Sequence, residues 1–137
     1  MQKYPLLNIS FLLLTICILT ACSHKNPICI TRSSTAIGVD DKLMPINETA
    51  SFPAGTRKVF CWFQWQAAAI NTTITAKWFF VSDNIHILDY SFEIPRQEGS
   101  GSVSLVMPDD KILPSGQYKI DLTLGNQILR STKFTIN

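Results

Sequence analysis

The chain has 137 residues, which is room for one domain, and 46% of them are hydrophobic. The formal net charge is only +2, and no basic run is longer than Arg57-Lys58, so the charge gives no support for nucleic-acid binding. Much of the hydrophobic content lies in the first twenty residues, so the remainder is more polar than the average suggests.

The N-terminal segment has the pattern of a signal peptide. Lys3 and the amino terminus supply a short positive region, and Phe11–Leu19 is an apolar core. This core is too short to cross a bilayer, which requires about 20 apolar residues. We therefore predict a cleaved leader over residues 1–21.

The leader ends at the quartet Leu19-Thr20-Ala21-Cys22. Ordinary signal cleavage favours small residues at −1 and −3 from the cut, and Leu19 fits the −3 position poorly. The quartet resembles the lipobox of bacterial lipoproteins, in which a large aliphatic residue and two small ones precede an acylated cysteine. The resemblance implies a diacylglycerol on Cys22 and usually an acyl chain such as palmitate on the new amino terminus. Two or more chains give a stable membrane anchor.

Residues 22–27 are predicted to be a tether that attaches the domain to the membrane through the lipid on Cys22. Ser23 stands where enterobacterial lipoproteins carry an aspartate to remain in the inner membrane. The resemblance therefore favours the outer membrane if the organism is Gram-negative, with the domain facing the periplasm or the exterior.

Two cysteines remain after Cys17 is removed with the leader and Cys22 is lipidated. An exported chain folds in an oxidising compartment, so a disulfide between Cys29 and Cys61 is expected, with two separate buried thiols as the alternative. No C-x-x-C spacing occurs, and the two histidines stand alone. We predict neither a metal site nor a cofactor.

The rest of the chain has the pattern of short β-strands. Apolar and polar residues alternate between turns rich in Gly, Pro, Asn and Asp, and no stretch keeps a helical period. The predicted strands are Ile28–Arg32, Val59–Ala67, Ile74–Ser82, Ile87–Ile94, Ser102–Met107, Gln117–Leu124 and Ile128–Ile136. Seven short strands within residues 28–137 predict an all-β sandwich.

One short motif narrows the type of sandwich. The sequence Leu113-Pro114-Ser115-Gly116-Gln117-Tyr118 resembles the tyrosine corner of immunoglobulin-like and fibronectin-type domains. The resemblance implies an immunoglobulin-like β-sandwich, with Trp78 as the buried tryptophan of the third strand and Cys61 on the second. Ile120 stands where the partner cysteine of antibody domains would be, which leaves Cys61 free to pair with Cys29.

Aromatic residues are concentrated on two adjacent predicted strands, at Phe60, Trp62, Phe63, Trp65, Trp78, Phe79 and Phe80. If Cys61 and Trp78 point inward, alternation places Phe60, Trp62 and Phe79 outward. Outward aromatics often mark contacts with proteins or carbohydrates. In an immunoglobulin-like topology, however, these two strands lie in opposite sheets, so their outward residues would not form one patch.

Catalytic patterns are scarce. No serine lies in a G-x-S-x-G motif, and Asp109-Asp110 lacks the further acidic and glycine spacing of a calcium loop. His86, in a predicted turn, is the remaining candidate for a general base. We predict that the protein is not an enzyme.

Three functional hypotheses follow. The leading one is a lipid-anchored, non-catalytic β-sandwich that acts as a binding or structural module of the cell envelope, as an accessory of an envelope or secretion assembly. The second is a periplasmic inhibitor or chaperone-like factor that occupies a soluble partner through a loop or an edge strand. The third is an enzyme that uses His86.

Overall fold

The computed structural model describes residues 28–137. The signal peptide, the tether and the lipid site at Cys22 were predicted in residues 1–27 and lie outside the described residues. Within residues 28–137 the chain forms nine strands and two 3₁₀ turns. The strands are β1 (Cys29–Val39), β2 (Pro45–Glu48), β3 (Ser51–Phe52), β4 (Lys58–Gln66), β5 (Thr73–Phe80), β6 (Ile85–Glu93), β7 (Gly99–Val106), β8 (Gly116–Leu124) and β9 (Gln127–Ile136).

The strands form two sheets. The four-stranded sheet has the order β2-β1-β4-β7, and the five-stranded sheet has the order β3-β9-β8-β5-β6. Neighbouring strands are antiparallel, except for the two-residue strand β3, which is parallel to β9. The predicted all-β sandwich is confirmed. No helix in this part of the chain is long and apolar enough to span a bilayer.

The sequence missed two short strands and part of a third. β2 has four residues and β3 has two, which is too few to show an alternating pattern. β1 continues to Val39, well beyond the predicted Ile28–Arg32, through a polar stretch that contains two serines. These segments are strands because neighbouring strands pair with them, a cause that local sequence does not reveal.

The core lies between the two sheets and is centred on Trp78, which is fully buried. Its ring meets Phe134 edge-on at 6.3 Å between centroids, and Phe134 stacks on Tyr118 at 4.8 Å. The residues that the alternating pattern placed inward on β4 and β5 are buried, namely Val59, Cys61, Phe63, Trp65, Ile74 and Ala76. Phe80, at the end of β5, is half-buried against this core.

A tyrosine closes the core at the start of β8. The hydroxyl of Tyr118 donates a hydrogen bond to the carbonyl of Pro114 at 2.6 Å, which is the geometry of a tyrosine corner. Burial raises the pKa of Tyr118 to about 12. Gly116 has a φ of +146° and a Cβ there would lie 2.5 Å from the ring of Phe80, so the turn requires a glycine.

The predicted disulfide between Cys29 and Cys61 is wrong. Both cysteines are free, although they lie on the paired strands β1 and β4. Cys29 is opposite Gln66 and Cys61 is opposite Thr35, so the two lie five positions apart along β4. At about 3.3 Å per strand residue this separation is about 17 Å, whereas a disulfide requires Cα atoms within about 7 Å. Strand register, which no residue count reveals, keeps the thiols apart.

Replacing Tyr118 with Phe tests the tyrosine corner. Tyr118→Phe keeps the buried ring but removes the hydrogen bond to Pro114, so we expect the free energy of unfolding to fall by about 1 kcal/mol. Urea denaturation of both proteins measures the difference. The control is Tyr90→Phe, at a site that is 55% exposed, and it should change stability by much less. Equal losses at the two sites would contradict the assigned role.

Thiol alkylation of the folded protein tests the cysteine assignment. Cys29 is exposed, whereas Cys61 is fully buried and its pKa is raised to about 12 by that burial. We expect iodoacetamide to modify Cys29 in the native protein and Cys61 only after unfolding in guanidinium. Peptide mass spectrometry separates these sites from the other cysteines. Recovery of a peptide pair linked through Cys29 and Cys61 would contradict the structure.

Candidate binding surface

The three aromatic residues that were predicted to face outward do not come together. Phe60 lies on the outer face of the four-stranded sheet, half-buried, with Nζ of Lys58 4.6 Å from its ring centroid. Phe79 lies on the outer face of the five-stranded sheet, half-buried, with Nζ of Lys119 4.7 Å from its ring centroid. Because the two outer faces point in opposite directions, these rings form no common platform.

The prediction that Trp62 is exposed is wrong, since its side chain is fully buried. It does point to the outer face of the four-stranded sheet, but the loop between β1 and β2 covers it. The indole Nε1 donates to the carbonyl of Leu43 at 2.6 Å, and the guanidinium of Arg32 lies 5.4 Å from the ring centroid. Trp62 therefore fixes a loop and offers no free contact surface.

Local signals for this covering loop exist in the sequence but are easily missed. The carboxylate of Asp40 accepts hydrogen bonds from the backbone N–H groups of Lys42 and Met44, both at 2.9 Å. Such a turn is typical of an aspartate followed by polar residues. Leu43 at its tip has a φ of +57°, which aims its carbonyl at Trp62. The turn is therefore predictable from the sequence, whereas its position over Trp62 is not.

His86 lies near the start of the edge strand β6. Its Nε2 is 2.7 Å from Oδ1 of Asp89, and its ring is 5.2 Å from that of Phe79. Both members of the pair are about half exposed, so solvent weakens their interaction. Within residues 28–137 His86 hydrogen-bonds to no hydroxyl or thiol that could serve as a nucleophile. In the same range no three His, Cys, Asp or Glu side chains converge on a possible metal position.

A small apolar pocket of about 290 Å³ opens beside the tyrosine corner. Phe80, Met107, Leu113 and Tyr118 line it, and His86 stands at its wall. It lies at the end of the sandwich opposite Cys29, because Tyr118 is near the start of β8 and pairs with Phe80, the last residue of β5. Its lining is almost wholly hydrophobic and offers little polar chemistry to orient a ligand.

A second cleft of about 240 Å³ lies along one side of the sandwich, between the edge strands β6 and β7. Aromatic rings lead from the core to its surface: Phe63 stacks on Phe92 at 5.3 Å, and Phe92 on Tyr90 at 6.3 Å. Tyr90 is 55% exposed although its neighbours along this row are buried or half-buried. We call this feature the lateral groove.

Gly101 on β7 lines the lateral groove, and Gly99 lies beside Trp65 near its end. A Cβ at Gly101 would lie 3.2 Å from the ring of Phe63, and one at Gly99 would lie 2.9 Å from the ring of Trp65. The indole Nε1 of Trp65 donates to the carbonyl of Arg96 at 3.0 Å, which ties the β6–β7 connection to the core. The alternating pattern of β4 assigned Phe63 and Trp65 to the core and did not predict this groove, because the contribution of β6 and of Gly101 did not stand out in the sequence.

Comparisons with known proteins agree with the architecture. No protein-family model matches the chain, and no curated protein sequence matches it either. Among solved structures, an immunoglobulin-like protein from Pseudomonas aeruginosa is similar, with a TM-score of 0.57 and 11% identity over 82% of this chain and 98% of that chain. The alkylpurine DNA glycosylase AlkC of Pseudomonas fluorescens is less similar, with a TM-score of 0.49 and 12% identity over 80% of this chain and 30% of that chain.

The similarity to the immunoglobulin-like protein concerns the fold alone, because the sequence identity is only 11%. The similarity to the glycosylase, with its TM-score of 0.49, carries no functional argument. The fold does agree with the strand order, the buried Trp78 and the hydrogen bond of Tyr118. Residues 28–137 therefore form an immunoglobulin-like β-sandwich.

Proposed function

We propose that this protein is a lipid-anchored, non-catalytic binding module of the bacterial cell envelope. The observation that carries the proposal is the quartet Leu19-Thr20-Ala21-Cys22 at the end of an apolar leader, a few residues before an immunoglobulin-like domain. Lipid on Cys22 supplies the location, and the sandwich supplies the surface for a partner. The serine after the cysteine favours the outer membrane in a Gram-negative organism.

The short tether supports a domain that stays close to the membrane. Six residue steps separate Cys22 from Ile28, the first described residue, and an extended chain of that length spans at most about 20 Å. β1 begins beside the end of β4, so the β4–β5 loop would face the lipid. Ile70 in that loop is 65% exposed, which suits a surface near a membrane.

The same orientation would leave the partner surfaces accessible. The pocket beside Tyr118 lies at the end away from the tether, and the lateral groove runs along the side of the domain. His86 is solvent-exposed, and within residues 28–137 its hydrogen-bond partner is Asp89, which supports a binding role over a catalytic one.

The second candidate is an inhibitor or chaperone-like factor that acts on a soluble partner. The unpaired edges of β6 and β7 favour it, because edge strands bind extended segments of other proteins. The two candidates differ in whether the partner is itself associated with the membrane.

Metabolic labelling with a clickable palmitate tests the anchor. Cys22→Ala should abolish labelling and leave a larger, uncleaved precursor on a denaturing gel, because the acylated thiol is missing. Cys17→Ala is the matched control: it removes a cysteine inside the leader, five residues before Cys22, and should keep labelling and cleavage. Full labelling of the Cys22→Ala protein would refute the lipid assignment.

Crosslinking in native membranes, followed by mass spectrometry, separates the two candidate functions. A membrane-associated module should be recovered with envelope proteins that sediment with the membrane. The Cys22→Ala protein provides the reference, since it should lose those partners. Recovery of soluble partners alone from the wild-type protein would favour the inhibitor or chaperone-like role.

A further inference from the structure

The two sheets of the sandwich differ in width, and the difference leaves part of the inner face of β6 uncovered. Ser33 of β1 and Thr132 of β9 are hydrogen-bonded across the sandwich at 2.5 Å, so these two strands lie opposite each other. Counted from this contact, the four-stranded sheet ends one strand before the five-stranded sheet, so β6 projects beyond β7. Phe92 of β6 still reaches Phe63 of β4, but Tyr90 has no such cover. The exposure of Tyr90, on the inner face of β6, agrees with this gap.

The edge of β7 lacks the features that protect the other sheet edges from pairing. β2 is short and begins with Pro45, β3 has only two residues, and β6 carries a bulge together with Asp89 and Glu93. Each of these features discourages another strand from pairing. β7 has eight residues, none of them charged or proline, and keeps an unbroken register with β4.

The side chains of β7 also suit the close approach of another backbone. Gly101 lines the lateral groove without a side chain, and Gly99 leaves room for the ring of Trp65, while Ser100, Ser102 and Ser104 alternate along the strand. An edge strand leaves half of its N–H and C=O groups free to pair. A strand added here would lay its inward residues on the exposed face of Tyr90 and the neighbouring apolar side chains.

We infer that the edge of β7 accepts an extended segment of a partner protein as a fifth strand of the four-stranded sheet. The inference deepens the proposed binding function and depends on it only for the existence of a protein partner. The new strand would fill the lateral groove and cover the inner face of β6. Its inward residues would be apolar and its outward residues polar, as in other cases of strand addition.

The free edge and the space beside it both specify the occupant. β7 presents backbone groups and uncharged side chains to a neighbouring strand, so the outward residues of that strand need only be polar. A second copy paired antiparallel through its own β7 would place its β5 where this chain's β6 already lies, because each five-stranded sheet projects one strand beyond β7. One extended segment fits the space, and another sandwich does not.

Titration of the full chain, purified in detergent, with a defined peptide tests the inference. The probe is a nine-residue peptide in which valine alternates with lysine, and the control peptide has the same composition in blocks. We expect saturable binding of the alternating peptide and at least ten-fold weaker binding of the block peptide. Hydrogen exchange by NMR should show new protection at amides of β7.

Two variants locate the binding site. Tyr90→Lys places a cation in the lateral groove and should weaken peptide binding at least ten-fold. Ile128→Lys is the matched control, because Ile128 is 56% exposed, against 55% for Tyr90, and lies on β9. Circular dichroism of both variants verifies that they fold. If Tyr90→Lys does not fold, Tyr90→Ser replaces it, and peptide binding should again weaken about ten-fold.

Several results would overturn the inference: no saturable binding at millimolar peptide, equal binding of both peptides, protection outside β7, or an unchanged affinity of the Tyr90 variants. Sedimentation of the chain without peptide adds a further test, since a dimer that Tyr90→Lys dissociates would show that a second copy takes the edge. The outcome is independent of the anchor, because lipid labelling at Cys22 succeeds or fails regardless of peptide binding.

Discussion

The burial of Trp78 between the two sheets is the constraint on which the rest of the structure depends. Its indole is fully buried, and within residues 28–137 the Nε1 group has no hydrogen-bond partner. An unsatisfied buried donor costs about 1–3 kcal/mol. Burial of about 200 Å² of indole surface contributes about 5 kcal/mol, so the packing outweighs this cost. The sheets must therefore close around a large ring, and Phe134 and Tyr118 complete its surroundings.

The packing of the two sheets around this ring determines which contacts close the ends and the sides of the sandwich. Tyr118 fastens one end through Pro114, and the start of β1 defines the other. On one side β1 faces β9, and a hydrogen bond between Ser33 and Thr132 joins the two strands at the margin of the core. On the other side the narrower sheet ends at β7, and the aromatic row that leads to Tyr90 stays partly uncovered. The lateral groove is thus a result of unequal sheet widths.

The residues of the candidate site show how much of the structure the alternating pattern of a strand can predict. Alternation on β4 and β5 correctly separated inner from outer side chains, because a strand turns successive residues to opposite faces. It failed at Trp62, where a loop from another part of the chain covers an outer-face ring. It also failed at Cys29 and Cys61, where adjacent strands are paired in a register that separates the thiols. In each failure the deciding contact joins distant parts of the sequence.

The sequence by itself determined that the domain is all-β, that it belongs among immunoglobulin-like sandwiches, and which side chains of β4 and β5 form its core. These properties follow from the two-residue period of a strand and from a tyrosine motif a few residues long, both of which are local. Only the tertiary structure decided which edges stay unpaired, which aromatic ring is covered and where the groove opens. Those features depend on strand order and register, which arise from contacts between residues far apart in the chain.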